Sequence, residues 1–226
     1  MKNLRKFYSG KMMARRSASA PTANRTVFYI ALVFLLYGGG ANAGGQAVKS
    51  LLEMRHQNVV IQQWDLSCGA AALATLLNYQ HGDRVTEKEV AVGLMRREEY
   101  IDNPKLVQSR EGFSLLDLKR NVDSRGYLGS GFGKLQFKDV VAKAPIIVPI
   151  MTNGYNHFVV FRGVRGDRVL LADSAWGNRT MLVDEFMQSW IDYPSLGRVG
   201  FVVQRRDGLA PPNLLAPQDS DFVTLR

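Results

Sequence analysis

The apolar residues of this chain change their spacing near its midpoint, and no other feature constrains the fold as strongly. In the first half, an Ala- and Leu-rich run at 69–79 predicts a largely buried helix, and Thr86 and Ser114 each open a further helix. In the second half the apolar runs are short, rich in branched residues and separated by turns, as at 145–150, 157–161 and 169–173. Such runs are typical of strands in one antiparallel sheet, with Gly166 and Asp167 as a hairpin turn. We therefore predict an α+β fold in which a helical half packs on an antiparallel sheet, with a cleft between them.

Other elements are predicted on either side of these runs. Before the first helix, an amphipathic segment within 44–57 leads into an edge strand at 59–61. After the sheet, a last amphipathic helix at about 183–190 is followed by a strand at 199–203. Residues 207–226 contain three prolines and predict a flexible C-terminal tail. The sequence has no internal repeat and no cluster of metal ligands, so we expect neither a metal nor another cofactor.

The positive charge of the chain is concentrated at its start. Of the 29 basic residues, seven lie within residues 1–43, which contain none of the 20 acidic residues. The formal net charge of +9 therefore falls to +2 for residues 44–226. A domain with that balance lacks the dense basic surface that phosphate binding needs, so a nucleic-acid partner is excluded.

Residues 1–43 have the order of a secretory signal: a basic stretch, an apolar run of 11 residues at 27–37, three glycines and a small-x-small site. We expect cleavage after Ala43. The alternative is an uncleaved inner-membrane anchor over residues 26–43, whose 18 residues approach the length that crosses a bilayer. In both cases residues 44–226 lie outside the cytoplasm, in the periplasm or cell envelope.

Cys68 is the only cysteine of the chain. Exported proteins normally use cysteines in disulfide pairs, so a lone thiol there is either buried and inert or required for chemistry. Composition alone leaves both interpretations open. The polar turn at 62–69 places Cys68 at the N-terminus of the predicted helix, a position that favours the thiolate form of a cysteine nucleophile.

The chain has three histidines, so the partner base of a cysteine nucleophile can be searched exhaustively. His56 precedes a strand and His81 lies at a helix end, where a solvated or capping imidazole is the usual explanation. His157 begins an apolar strand and can face the cleft. The alternative interpretation is a hydrogen-bonded histidine within the core. Asp173 closes the next strand, 16 residues on, and the hairpin brings it within reach of His157. For Asp173 taken alone, the alternative interpretation is an aspartate that forms a turn.

Acyl transfer also needs a hydrogen-bond donor for the negative charge that develops on the carbonyl oxygen. Gln62, six residues before Cys68, is the candidate. Gln63 is its rival, but strand alternation turns it to the opposite face. Each of these residues alone is weak support. The set of glutamine, helix-capping cysteine, strand histidine and strand-end aspartate, in that order, indicates nucleophilic cysteine chemistry.

The segments around these residues resemble the three motifs of the bacteriocin-processing, double-glycine cysteine peptidases, a papain-like family. The segments are 62–71, 156–160 and 173–177, and the resemblance extends over about 58–204. It implies a papain-like fold, cleavage after paired glycines in leader peptides, and an active site whose members are Cys68, His157, Asp173 and, in the oxyanion hole, Gln62. The chain departs from the family at Ser67 and Ser174, where aspartate and proline are usual.

Many members of that family are cytosolic domains fused to an ATP-driven exporter, but this sequence has no P-loop. It resembles instead the stand-alone exported members that accompany secretion systems for surface fibres or functional amyloid. The resemblance therefore implies a secreted peptide or protein as the substrate. It also predicts three parts, with a signal or anchor at 1–43, a peptidase domain at 44–206 and a tail at 207–226.

The leading hypothesis is an exported cysteine endopeptidase that cuts after small residues or glycine pairs. A non-catalytic chaperone or docking module for a secreted fibre protein is one alternative, although binding alone needs neither Cys68 nor His157. A thiol acyltransferase is another, because the two reactions differ only in the acceptor that reaches the acyl-enzyme. Trp64 and Trp176 are candidates for the walls of a narrow substrate channel, with ordinary core aromatics as the alternative.

Overall fold

The computed structural model describes residues 49–96, 98–103, 105–109 and 112–225. The signal or anchor that the sequence predicts within residues 1–43 lies outside this part of the chain. Among the described residues, no helix combines the length and the apolar character that crossing a bilayer requires.

The described chain has a mainly helical first half and a second half built mainly of strands. The helices are α1 Leu51–His56, α2 Cys68–Thr75, α3 Glu87–Met95, α4 Glu98–Asp102, α5 Lys105–Ser109, α6 Leu115–Ser124, α7 Phe137–Ala142, α8 Val183–Ser189 and α9 Asp219–Thr224. The strands are β1 Tyr127–Phe132, β2 Ile146–Thr152, β3 Tyr155–Arg165, β4 Arg168–Asp173, β5 Gly177–Leu182, β6 Asp192–Tyr193, β7 Gly197–Arg198 and β8 Gly200–Arg205. This division confirms the predicted α+β class.

Six strands form one antiparallel sheet in the order β1-β8-β2-β3-β4-β5, while β6 pairs separately with β7. The β3–β4 hairpin turns at Gly166, as the sequence predicts, and its φ of 58° lies in the left-handed region that glycine adopts without strain. The pairing of these two strands extends to Val159 opposite Asp173. His157 and Asp173 are consequently diagonal neighbours, within side-chain reach of each other.

Helix α2 packs on this sheet with all eight of its residues buried. Its Ala and Gly residues allow a close approach, since a Cβ on Gly69 would lie 3.3 Å from the Phe158 ring of β3. Leu73 of α2 and Val160 of β3 belong to the same apolar core. The N-terminal end of α2 is therefore held beside β3, the strand that carries His157.

The structure confirms the predicted starts of α3 and α6, whereas α2 ends earlier than predicted. Thr86 and Ser114 each form a capping box at the start of α3 and α6. The run that predicts one helix over 69–79 is α-helical only to Thr75 and continues as a π-helical turn at Leu76–Gln80.

The predicted edge strand at 59–61 is wrong, because these residues form no strand. The Val60 N–H donates instead to Thr75 Oγ1 of α2 at 3.0 Å. Gln62 N–H donates to the Ser174 carbonyl at 2.8 Å. Single hydrogen bonds to α2 and to the turn after β4 thus take the place of a strand partner.

The prediction of a flexible tail at 207–226 is corrected by the packing of the described residues 207–225. Leu215 is fully buried in the core that also contains α2. Phe222 and Leu225 pack against Leu170 of β4. Burial of these three apolar side chains therefore packs the proline-containing segment against the rest of the domain.

A buried arginine on β3 fastens the same segment. Arg162 is 5% exposed, its Nε donates to the Leu215 carbonyl at 2.9 Å, and one terminal nitrogen donates to Asn178 Oδ1 at 2.8 Å. Its other terminal nitrogen lies 3.5 Å from Asp221 Oδ2 of α9. Since a buried guanidinium is tolerated only where its donors find acceptors, β3 and the C-terminal segment depend on each other.

Candidate active site

The structure brings together Cys68 and His157, the two residues that the sequence singles out for nucleophilic chemistry. Cys68 is the first residue of α2, and His157 lies near the start of β3. Both side chains line the same cavity, and Cys68 is among the groups that raise the pKa of His157. Both residues are largely buried, with exposed fractions of 6% and 8%. A thiol thus lies beside an imidazole at the N-terminus of a helix.

Asp173 orients the imidazole from the other side. Its Oδ1 accepts a hydrogen bond from His157 Nε2 at 2.8 Å and another from the Ala175 N–H at 2.9 Å. The carboxylate has no exposed surface. Because Nε2 is engaged by Asp173, the second ring nitrogen, Nδ1, is the one that remains for Cys68.

The environment of this pair decides its protonation. Burial alone lowers the pKa of His157, but hydrogen bonds to Asp173 and Cys68 and the attraction of both groups raise it to about 9. Burial alone raises the pKa of Asp173, but the hydrogen bond and charge of His157 and the charge of Arg179 bring it below its ordinary value. At neutral pH the site therefore contains an imidazolium next to an ionised carboxylate.

Gln62 is tied to the residue that follows Asp173. Its Oε1 accepts a hydrogen bond from the Ser174 hydroxyl at 2.8 Å, and its backbone N–H donates to the Ser174 carbonyl at the same distance. Nε2, the donor atom of the amide, lies 3.5 Å from the Trp64 carbonyl, and its second hydrogen is available to a developing oxyanion. Sequence reasoning treated Ser174 only as a departure from a motif and missed this contact.

Glu87 is a second group that the sequence did not single out. This residue is buried, and its carboxylate accepts hydrogen bonds from the Gln63 N–H at 2.9 Å and from the Ser67 hydroxyl. It thereby anchors the loop between Gln62 and Cys68. The Gln63 side chain is exposed, whereas Gln62 is half-buried, which favours Gln62 as the oxyanion donor. Glu87 opens α3, where acidic residues are common, so the sequence carried no signal of this role.

Arg179 of β5 is the third missed residue. Its Nε lies 2.9 Å from Asp173 Oδ2, the oxygen that His157 does not use. An arginine within a strand of mixed composition is ordinary, so only the tertiary structure shows its partner.

A cavity of about 490 Å³ opens beside Cys68 and His157. Its other walls are mainly apolar and include Phe113, Leu115, Leu116, Phe158, Tyr193 and Leu196. A cavity of this size and character can accept several residues of an extended peptide next to the thiol.

The two tryptophans proposed as channel walls are both on the surface. Trp64 is 46% exposed and Trp176 is 60% exposed, so the alternative that they are core aromatics is wrong. Trp64 lines a different depression, of about 460 Å³, together with Val92 and Ile101. Neither tryptophan is among the residues that line the cavity beside Cys68.

Neither of the two remaining histidines lines the cavity beside the thiol. His56 is exposed at the end of α1. His81, expected to be solvated or capping, is the C-cap residue of the π-helical turn and is buried: its Nε2 lies 3.1 Å from the Val203 carbonyl, and burial lowers its pKa. Within the described part of the chain, no group of three or more metal-ligating side chains is found.

Comparison with known proteins finds related peptidases. Residues 56–194 match the peptidase C39 family. The probable functional amyloid protease FapD of Pseudomonas aeruginosa is 36% identical over 143 residues, which cover 63% of this chain and 61% of that protein. The chain thus spans about three fifths of the length of this relative.

Solved structures show the same fold. A double glycine motif protease from an AMS/PCAT transporter, in complex with its leader peptide, matches with a TM-score of 0.52 and 23% identity, covering 65% of this chain and 90% of that one. The peptidase domain of Streptococcus ComA matches with a TM-score of 0.50 and 14% identity, covering 67% of this chain and all of that domain.

Proposed function

Since this chain belongs to the peptidase C39 family, with its papain-like α+β fold, we propose that it is a cysteine endopeptidase. Cys68 is the nucleophile, His157 the general base and acid, and Asp173 the carboxylate that orients the imidazole. The observation that carries this proposal is that Cys68 lines the same cavity as His157, whose imidazole is hydrogen-bonded to the buried Asp173.

The reaction follows from the positions of these groups. Cys68 Sγ, as the thiolate, attacks the carbonyl carbon of the scissile bond and forms a C–S bond, so that the carbonyl oxygen becomes an oxyanion. The His157 imidazolium gives its proton to the leaving nitrogen, the C–N bond breaks, and a thioester remains. Water then attacks the thioester while His157 takes its proton. The acid is released, and the thiolate and the imidazolium are restored.

Gln62 supplies a donor for the oxyanion. Its Nε2 is directed by the Ser174 hydroxyl, which occupies Oε1. The backbone N–H groups in the first turn of α2 have no partner within the helix, so they can add to the stabilisation of charge near Cys68. Loss of one such donor costs on the order of 10²–10³ in turnover.

The substrate is a secreted protein or peptide, cut after a pair of glycines, and the system it serves secretes a functional amyloid or another surface fibre. The name of the Pseudomonas relative supports the amyloid system, and the double-glycine resemblance of the three motifs supports the cleavage site. Glycines have no side chain, so a glycine pair fits a narrow approach to the thiol. Larger side chains would not pass through it. Trp64 and Trp176 stay candidates for contacts with the substrate outside the cavity.

The site of action is the periplasm or the cell envelope. The basic and apolar order of residues 1–43 supports export, with cleavage after Ala43 favoured over an anchor at 26–43. An anchored form would associate with the inner membrane.

Mass spectrometry of purified protein mixed with candidate secreted proteins tests the proposal. We expect wild type to cut after a glycine pair and the products to gain one water, which separates hydrolysis from acyl transfer. Cys68→Ala and His157→Ala should be folded and inactive. His56→Ala is the matched control, because it removes an exposed imidazole that does not line the cavity beside Cys68, and its turnover should equal that of wild type. Turnover retained by Cys68→Ala would refute the peptidase proposal.

A further inference from the structure

Arg179 engages the oxygen of Asp173 that His157 leaves free. Its Nε lies 2.9 Å from Asp173 Oδ2, whereas Oδ1 accepts from His157 Nε2 at 2.8 Å and from the Ala175 N–H at 2.9 Å. We infer that Arg179 is a positioning residue, whose guanidinium keeps the Asp173 carboxylate ionised and directed at His157 throughout the reaction. This inference rests on the proposed peptidase function of the site.

The geometry of the carboxylate explains why a second contact is needed. A carboxylate that is bonded through one oxygen can turn about its terminal side-chain torsion, which has a broad energy minimum. Such a turn would move Oδ1 away from His157 Nε2. In the structure, Oδ1 is bonded to a residue of β3 and Oδ2 to a residue of β5, so rotation would break a charged hydrogen bond.

The sheet holds Arg179 in position without help from a substrate. On β5, Arg179 is opposite Leu171 of β4, and Gly177 is opposite Asp173. Residues two apart on a strand share a face, and a long side chain reaches its diagonal neighbour on the next strand. The contact is partly shielded, since the Arg179 side chain is 27% exposed and that of Asp173 is not exposed at all.

The charge of Arg179 matters most when His157 has lost its proton. As an imidazolium, His157 compensates the buried carboxylate. After it has protonated the leaving nitrogen it is neutral, and burial then favours protonation of Asp173. A guanidinium stays charged under these conditions and keeps the carboxylate ionised. In agreement, the charge of Arg179 is among the causes that lower the pKa of Asp173.

The test is the pH profile of Cys68 alkylation by iodoacetamide in the full-length protein, which contains no other cysteine. Arg179→Met keeps most of the apolar stem and removes the cation. We expect its alkylation rate near pH 6 to fall about 10-fold and the acid limb of the profile to move to higher pH. The cause is that Asp173, without the guanidinium, becomes protonated at a higher pH and no longer supports the thiolate–imidazolium pair. Arg179→Lys, which restores the cation, should recover part of the rate.

Arg168→Met is the matched control, because Arg168 lies on the adjacent strand and its Nε donates to Thr180 Oγ1 at 3.1 Å. Its profile should equal that of wild type. An unchanged profile for Arg179→Met, or a uniform loss of rate with the shape retained, would overturn the inference.

A double variant tests whether Arg179 acts through Asp173. In the Asp173→Asn background, Arg179→Met should change the alkylation rate by less than about twofold. A larger effect there would show that Arg179 acts by another route, which also overturns the inference. Alkylation needs no peptide substrate, so these outcomes are separate from a failure of the proposed function, which would appear as absence of cleavage that depends on Cys68.

Discussion

Replacing Arg162 by methionine should destabilise the fold far more than the same change at Arg165, three residues along β3. Arg162 is 5% exposed and donates to the buried Leu215 carbonyl at 2.9 Å and to Asn178 Oδ1 at 2.8 Å. Arg165 is 51% exposed, and its partner Asp219, at 2.9 Å, is 85% exposed. Both arginines connect β3 to the C-terminal segment, so the pair of variants separates a buried connection from an exposed one.

The magnitude follows from what each variant leaves behind. Methionine fills most of the space of the Arg162 stem but donates no hydrogen bond. Each of two buried acceptors loses its hydrogen bond from a charged donor, which costs about 1–3 kcal/mol. The guanidinium no longer has to be desolvated, and this gain offsets part of the cost. We expect Arg162→Met to lower the free energy of unfolding by about 3 kcal/mol. Exposed ion pairs contribute little, so Arg165→Met should cost under about 0.5 kcal/mol.

Urea denaturation followed by tryptophan fluorescence measures both values. With a slope of about 2 kcal/mol per molar urea, the midpoint of Arg162→Met should fall by roughly 1.5 M, with the slope unchanged. The Arg165→Met midpoint should stay within about 0.3 M of wild type. A shift for Arg162→Met no larger than that of Arg165→Met would refute the reasoning that a buried guanidinium fastens the C-terminal segment.

Four further predictions concern the site and the export of the chain. Ser174→Ala should lower kcat about fivefold with KM unchanged, since the hydrogen bond that orients Gln62 is worth about 1 kcal/mol; a further loss when Gln62 is already alanine would contradict this. Peptidase activity should fall as pH rises through about 9, because the raised pKa of His157 marks the loss of the proton donor; steady turnover up to about pH 10 would contradict that role. Valine in place of either glycine of the cleaved pair should stop cleavage; equal cleavage of both substrates by wild type would reject a narrow channel. N-terminal sequencing of the mature protein should start at Gly44, whereas an intact initiator methionine would favour the anchor.

Much of the site could be predicted because its parts are defined by local sequence. A small-residue run after a polar turn sets the N-terminus of α2 at Cys68. The position of Gly166 sets the register of the β3–β4 hairpin, and that register determines which aspartate His157 can reach. These inferences need only turn chemistry and the two-residue period of a strand.

The remaining contacts could not be predicted because they join residues that are distant in sequence. Ser174 and Gln62 are 112 residues apart, and nothing near either one indicates the other. The segment at 59–61 has the composition of a strand but lies where α2 and the turn after β4 provide its partners. The C-terminal segment has prolines typical of a tail, yet Leu215, Phe222 and Leu225 bury enough apolar surface to dock it. Tertiary packing overrides local preference at each of these places.

The order of the sheet makes its completion depend on the last of its strands. Strand β8 lies between β1 and β2, although it is the last strand of the sheet along the chain. A polypeptide that is synthesised N-terminus first carries its thiol and imidazole before this interior strand is available. The pairing of β8 with β1 is long-range, and pairing of that kind is slow. A chain that stops before Gly200 therefore leaves β1 without its partner, and the sheet is reduced to β2, β3, β4 and β5.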